Sequence, residues 1–270
     1  MLGVSRESLA TLETELEARL SQGVVTQATA DDLLAVAGVI GRERSLRTTL
    51  SDAGQPVEAR LALVESLFST RVDETALDVL KAAVALRWTS PRDLVEAVQH
   101  CGLVATLALA ETAGHLDRVE EELFRFGRLL SANGELGLVL DSTAVQVENK
   151  QRLVAELLDG RVAEQTQTLL EQAVSVPLGR SAEEFVAELA QLAAARRGRL
   201  LADVTVAAPL TGDQEQRLAA VLERIYRRGI DLQVAIDPAV RGGVRVRVGE
   251  EIIDGTVDTR LDQAARRVVG

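Results

Sequence analysis

His100, Cys101 and His115 are the residues of this 270-residue chain best suited to ligate a transition metal or to pair as nucleophile and base. A zinc-type site draws on several converging His and Cys ligands. His100 and Cys101 are neighbours in sequence, so on a helix they point to different faces. A Cys–His catalytic pair also needs an orienting group, and none accompanies them. The two lysines, Lys81 and Lys150, follow Leu80 and Asn149. Neither sits in the Gly-Lys of a phosphate-binding loop. None of the 20 glycines has another two positions away, so the dinucleotide fingerprint is missing as well. Carboxylate runs such as "DRVEEEL" read as a solvated helix face. The residues predict no catalytic site, no metal and no cofactor.

One stretch still resembles a ligand loop: "GGVRVRVGEEIIDG", residues 242–255. Asp237 and Pro238 end a strand before it, and Gly242 and Gly243 permit a tight turn. Val244, Val246 and Val248 alternate with Arg245 and Arg247, the pattern of a strand with one buried face. Gly249 and Glu250 turn again, "EIID" returns, and Asp254-Gly255-Thr256 leads into a final helix carrying Leu261 and Ala265. A helix N-terminus favours anions, but Glu250 and Asp254 oppose one. The glycines are predicted to turn the chain.

The elements around these residues are mainly helical. Apolar residues are chiefly Leu, Ala and Val, with four Phe, one Tyr and one Trp, a composition suited to close-packed helices. Residues 200–270 carry 10 Arg and 11 Asp or Glu, leaving 20 basic and 30 acidic residues in 1–199. That acidic surplus repels phosphate backbones, so no nucleic-acid partner is expected and a basic or amphipathic protein partner is. The single cysteine cannot close an internal disulfide. No charged-then-apolar leader is visible, and the most apolar window, "CGLVATLALA" (101–110), falls short of the roughly 20 residues a bilayer requires. A cytoplasmic chain is expected.

In "SRESLATLETELEARL", Leu9, Leu12, Leu16 and Leu20 recur at helical spacing. The stripe suits packing within a bundle and also suits a partner helix. Residues 46–84 and 136–174 align without a gap at a shift of 90, with 13 of 39 positions identical. The echo continues with a one-residue slip, "SPRDLVEAV" (90–98) against "SAEEFVAEL" (181–189), both opening on Ser followed by Asp93 or Glu184, a helix-capping pattern. A repeat of this length indicates duplication of a small helical domain with about five helices per copy. The two bundles meet near "VQHCG", or within one continuous helix from Leu94 to Ala110. Arg196 and Arg197 with Gly198 close the second bundle.

From Leu201 the period changes. "LADVTVAAP" reads as a strand, Thr211 and Gln214 as a capping box, and Leu218, Val221, Leu222 and Ile225 as a helix core face. "IDLQVAID" resumes as a strand. The expected class is mainly α with a small α+β C-terminal domain: helical bundles at 1–100 and 101–199, then a mixed sheet with helices at 200–270.

The segment "DPAVRGGVRVRVGEEIIDGTVDTRL" resembles the C-terminal signature of the delta subunit of F-type ATP synthases, the oligomycin-sensitivity-conferring protein family. The matching positions are Asp237, Gly242, Gly243, Gly249, Ile252, Ile253, Asp254, Gly255, Arg260 and Leu261; Glu250 and Thr256 replace the usual Asp and Ser. "LALAETAGHLDRVEEEL" is similar to the family's first helix and following turn, without its tyrosine and phenylalanine. The common member corresponds to residues 101–270, so 1–100 is an additional copy, a long form that looks actinobacterial. The resemblance implies a non-catalytic stator subunit on the cytoplasmic face of the membrane, held there through the complex. Its bundle would grip N-terminal helices of alpha subunits, and its C-terminal domain would meet the b subunit. Leu9, Leu12 and Leu16 become candidate partner-binding residues. The alternative is a cytoplasmic regulator sensing a ligand near Gly242 and Gly243.

Overall fold

The computed structural model describes residues 3–198, 200–226, 229–237, 240, 242–248 and 251–254. The chain divides into two compact units, residues 1–196 and 197–270. The first carries α1 (Val4–Ser21), α2 (Gln27–Arg42), α3 (Arg44–Ser51), α4 (Val57–Phe68), α5 (Glu74–Ala85), α6 (Pro91–Thr112), α7 (Leu116–Ala132), α8 (Gly134–Asp141), α9 (Val147–Leu158), α10 (Glu164–Ser175) and α11 (Ala182–Arg197). Adding 90 to the bounds of α3, α4 and α5 gives those of α8, α9 and α10. The repeat read from identities is therefore a repeat of backbone. By the same shift α1 corresponds to α6 and α2 to α7, while α6 corresponds to α11 with the one-residue slip.

Helix α6 thus holds two places at once, last helix of the first bundle and first helix of the second. It runs unbroken across the expected boundary between residues 100 and 101. Leu94, Val95, Ala97, Val98, Cys101 and Ala105 lie in the first core; Leu103, Leu107 and Ala110 lie in the second. The apolar window at 101–110 is part of a 22-residue helix, and α6 is long and apolar enough to cross a bilayer by composition. Its most apolar stretch is 72% buried inside the protein, so here the apolar surface faces two bundles.

Capping fixes the phase of these helices. Ser90 Oγ accepts from Asp93 N–H and Asp93 accepts from Ser90 N–H, each at 3.3 Å, with Pro91 at the first helical position, where no N–H is needed. Ser181 and Glu184 repeat the arrangement at 3.2 and 2.9 Å; hydrogen bonding from the Ser181 backbone N–H first, then from its side chain, holds the Glu184 carboxyl below its usual value. A second device recurs with a changed residue. Asp32 Oδ2 accepts from Asp73 N–H at 2.7 Å, and Glu122, 90 positions later, accepts from Ala163 N–H at 2.9 Å and Thr166 Oγ1 at 2.6 Å. Each carboxylate reaches across its bundle to cap a neighbouring helix.

The two bundles are tied beyond α6. Gly102 lets α2 approach closely, since a Cβ there would lie 2.7 Å from Leu34 Cδ2 and 3.1 Å from the Leu34 backbone nitrogen. Leu34, on α2, joins the second core, not the first. Gln99, 1% exposed, donates to Val176 O at 2.7 Å and accepts from Arg180 Nη2 at 2.5 Å. Arg196 donates Nε to Glu111 at 2.6 Å and Nη1 to Glu17 at 2.9 Å. Its place at the end of α11 is as expected, but it is 8% exposed and links α11 to α6 and α1.

The second unit carries β1 (Leu200–Val206), α12 (Gly212–Tyr226), β2 (Ile230–Ile236), β3 (Val244–Val248) and β4 (Glu251–Asp254) in a sheet of order β2-β1-β3-β4. β1 and β2 are parallel, joined through α12, and the other pairs are antiparallel. Val246 and Val248 face the core between exposed Arg245 and Arg247. Thr211 and Gln214 form the expected capping box, at 2.8 and 3.4 Å. The core face of α12 is rotated from the expected one. Leu222 is buried with Leu218 and Tyr226 beside it, whereas Val221 and Ile225 are 41% and 56% exposed. The expected final helix with Leu261 and Ala265 lies outside the described residues.

Candidate partner-binding surface

The residues with chemical potential are occupied structurally. Cys101 is buried, and burial first, then the charges of Glu13 and Glu15, push its thiol far above the ordinary value. A thiol so placed is a packing group. His100 Nε2 lies 2.6 Å from Glu13 Oε1, joining α6 to α1. Among the described residues no three His, Cys, Asp or Glu side chains come together as a metal-ligand set.

The signature residues fall partly within the described chain. Asp237 donates its N–H to Val206 O at 2.9 Å, closing the end of β2 against β1. Gly242 and Gly243 have φ of 75° and 84°, values that side-chain-bearing residues rarely adopt, which is why glycine stands at this turn into β3. Ile252, Ile253 and Asp254 lie in β4, where the register pairs Ile253 with Val246 and Asp254 with Arg245. Gly249, Gly255, Arg260 and Leu261 lie outside the described residues.

Of the three candidate partner-binding leucines, Leu12 and Leu16 are fully buried in the first core. They are unavailable to a partner, because the amphipathic stripe of α1 is spent on its own bundle and on α6. Leu9 packs at the edge of that core and lines an open groove of about 460 Å³ between α1, α6 and α11. Its walls are polar, with ion pairs Arg92–Glu96 at 2.6 Å and Arg180–Glu188 at 2.7 Å.

A second surface lies on the second bundle. Leu129, Ala132, Asn133, Gly134, Glu135, Leu136 and Leu157 line an open cavity of about 520 Å³ where the ends of α7 and α9 meet α8. Leu138 and Val139 extend it along α8, being three or four residues from Glu135 and thus on its side of the helix. They are 74% and 42% exposed, with Leu157 at 44% and Leu129 at 38%.

The corresponding surface of the first bundle differs at its centre. Val39, Leu46 and Leu67 match Leu129, Leu136 and Leu157, but Thr48 and Thr49 stand where the second bundle has Leu138 and Val139. Arg44 and Arg47 stand in place of Gly134 and Gly137. Arg47 donates to Gly41 O at 2.5 Å, and Thr48 Oγ1 bonds to Arg44 O at 2.9 Å. Val39 and Leu67 are each 37% exposed, close to the values of Leu129 and Leu157, so the two faces differ at the threonines that replace Leu138 and Val139. The sequence carried the signal in the unlike positions of the repeat.

A family model described as "ATP synthase delta (OSCP) subunit" matches residues 104–268, beginning inside α6 and spanning the second bundle and the sheet unit. ATP synthase subunit delta of Streptomyces coelicolor is 43% identical over 269 residues, covering 99% of this chain and 98% of its own length. The protein of that name from Parafrankia sp. is 44% identical over 276 residues, with 99% of both chains covered. The one from Thermobifida fusca is 40% identical over 273 residues, with both chains fully covered. Full-length similarity of this kind extends through the additional first bundle. The chain belongs to the ATP synthase delta (OSCP) subunit family, the long form of this peripheral-stalk subunit found in actinobacteria.

Proposed function

We propose that this chain is a mechanical, non-catalytic link in the peripheral stalk. In this reading residues 1–196 grip N-terminal helical segments of alpha subunits, the unit at 197–270 meets the b subunit, and the chain lies on the cytoplasmic face of the membrane as a peripheral member of the complex. The observation that carries the reading is α6. A stator must resist torque, and two bundles joined by a flexible linker would yield at the joint. A single helix of about 33 Å, at 1.5 Å per residue, contributes side chains to both cores. Separating the bundles therefore means extracting buried leucines, each worth about 1.5–3 kcal/mol. The inter-bundle bonds of Gln99, Arg180 and Arg196 add to that resistance.

The test is reconstitution. Membranes carrying the synthase from which this subunit has been removed are expected to hydrolyse ATP without coupled proton pumping, and the full chain should restore pumping. Equal pumping with and without the chain overturns the reading.

A further inference from the structure

We propose that the connection between α10 and α11, residues 176–180, is a strap that locks the angle between the two bundles, so that the joint is stiffened by this segment as well as by α6. The inference stands apart from the stalk reading, because it concerns only how one bundle is held on the other.

The duplication supplies an internal control. Residues 46–84 align with 136–174 without a gap, whereas α6 and α11 align only after a slip of one. The extra residue therefore falls in the second copy's connection, "VPLGR" (176–180), set against "LRWT" (86–89) in the first. The shorter connection turns inward on its own bundle. Trp88 is buried and donates its Nε1–H to Ala83 O at 2.8 Å, and Arg87 O accepts from Ser8 Oγ at 2.7 Å. The longer one reaches outward. Leu178 belongs to the second copy by sequence, yet it packs against the first core. It arrives there with φ of 49°, a left-handed backbone that a leucine holds only where its surroundings over-determine it.

The first bundle has a seat for this segment. On α2, a Cβ at Gly38 would lie 3.3 Å from Val176 Cγ2, and one at Gly41 would lie 3.7 Å from both Val176 Cγ1 and Leu178 Cδ2. Glycine within a helix is unfavourable, and the matching positions of α7 carry Arg128 and Ser131, both exposed. Polar bonds hold the strap along its length. Gln99 of α6 donates to Val176 O at 2.7 Å and accepts from Arg180 Nη2. Arg180 also donates Nε to Pro177 O at 2.9 Å and Nη1 to Glu188 at 2.7 Å. Its guanidinium lies 3.4 Å from the centre of the Phe185 ring, part of the second core. One end of the strap is thus rooted in the second bundle while its middle sits on α2. At the far end of α11, Arg196 bonds to Glu17 of α1. The 16 residues of α11 span about 24 Å, so the second bundle is fastened to the first at two separated points, and bending about α6 has to release one of them.

The experiment is a distance measurement between two spin labels on the full chain, placed by Glu58→Cys on α4 and Glu148→Cys on α9, which are exposed and equivalent positions of the two copies. Cys101 is buried and takes no label in the folded chain. Two variants open the strap from opposite sides. Leu178→Asn removes the apolar anchor with a residue that tolerates the left-handed backbone, and Gly38→Leu fills the seat with a good helix former. Expected is one narrow distance in the labelled parent and a distribution at least twice as broad in each variant, with helicity retained in circular dichroism. Arg87→Ala, in the counterpart connection, should leave the distance narrow. The parent's width in either folded variant assigns the angle to α6 alone and overturns the strap. So does equal broadening by Arg87→Ala, or a broad distribution in the parent. If one variant loses helicity the other decides; loss of helicity in both makes the segment part of the core and overturns the strap as well.

Discussion

The two bundles share the lengths of α3–α5 and α8–α10, the Ser-acid caps of α6 and α11 and many core positions, yet the same element is polar and basic in α3 and apolar and acidic in α8. Duplicated backbone holds the structural requirements constant, so residues that diverge between copies report what each copy does beyond folding. Core positions such as Leu50 and Leu140 are identical and buried in both. Exposed positions diverge, toward apolar residues where Thr48 and Thr49 of α3 become Leu138 and Val139 of α8, and toward polar ones where Ala59 and Ala62 of α4 become Asn149 and Arg152 of α9. A second difference is one of cover. Leu34 of α2 is 4% exposed because the second half of α6 lies against it, whereas its counterpart Phe124 on α7 is 59% exposed under the Arg128 guanidinium, 5.2 Å from the ring centre.

The largest effect that tests this comparison falls on the shared helix. Leu94→Ala empties a site in the first core and Leu107→Ala one in the second, each costing about 2–5 kcal/mol. Both should lower the unfolding midpoint of both bundles together, seen as one helical transition in urea coincident with release of the Cys101 thiol to a labelling reagent. Two separated transitions would mean that α6 does not couple the cores.

Gly102→Ala comes next. Alanine favours a helix by about 1 kcal/mol, yet the added Cβ collides with Leu34 and should destabilise by about 1–3 kcal/mol net. The counterpart in α11 is Ala193, already buried with its Cβ, so the cost belongs to the α2–α6 contact alone. A stabilised Gly102→Ala in thermal melts would show that α2 can move away.

Glu122→Gln is expected to cost about 1 kcal/mol, the scale of a helix cap. Burial raises the Glu122 carboxyl, but bonds from Thr166, the Ala163 N–H and Arg118 outweigh it and hold the group below its ordinary 4.5. Because the folded value is the lower one, the carboxylate's contribution is complete above the unfolded value and disappears as pH falls through the folded value. The gap between wild type and variant in melting midpoint should be constant above about pH 5 and close below about pH 4, near the ordinary glutamate range. A gap that persists in acid would assign the cap to geometry without charge.

Smallest is Leu138→Thr with Val139→Thr, expected to change stability by less than about 0.5 kcal/mol. A large loss in urea denaturation would make these two residues part of the fold and remove the contrast between copies.

Much of this architecture was legible because it is periodic. The repeat gave α3–α5 and α8–α10, the Ser-x-x-acid pattern gave the starts of α6 and α11, and alternating valines gave β3. The double role of α6 was harder to read, since the echo at 90–98 marks it as a last helix and the stretch from Leu94 to Ala110 marks it as a continuous one. Both describe the same helix. The orientation of an apolar stripe was not legible: Leu12 and Leu16 satisfy a partner or a core equally well in sequence, and only packing placed them inside. On α12 the same ambiguity led to Val221 and Ile225 in place of Tyr226. The candidate surface lay in the mismatches of the aligned copies, which identity-based comparison passes over.

Sharing α6 also determines how a chain of this kind lengthens. Eleven helices serve two bundles because the sixth belongs to both, so a further bundle would require only five helices and one more increment of about 90 residues, the spacing at which the pattern recurs. In such a tandem no residue is spent on connectors. Insertion at the joint would have to proceed in whole helical turns to keep both cores in phase, which makes the seam between the copies less tolerant of added or deleted residues than the loops on either side of it.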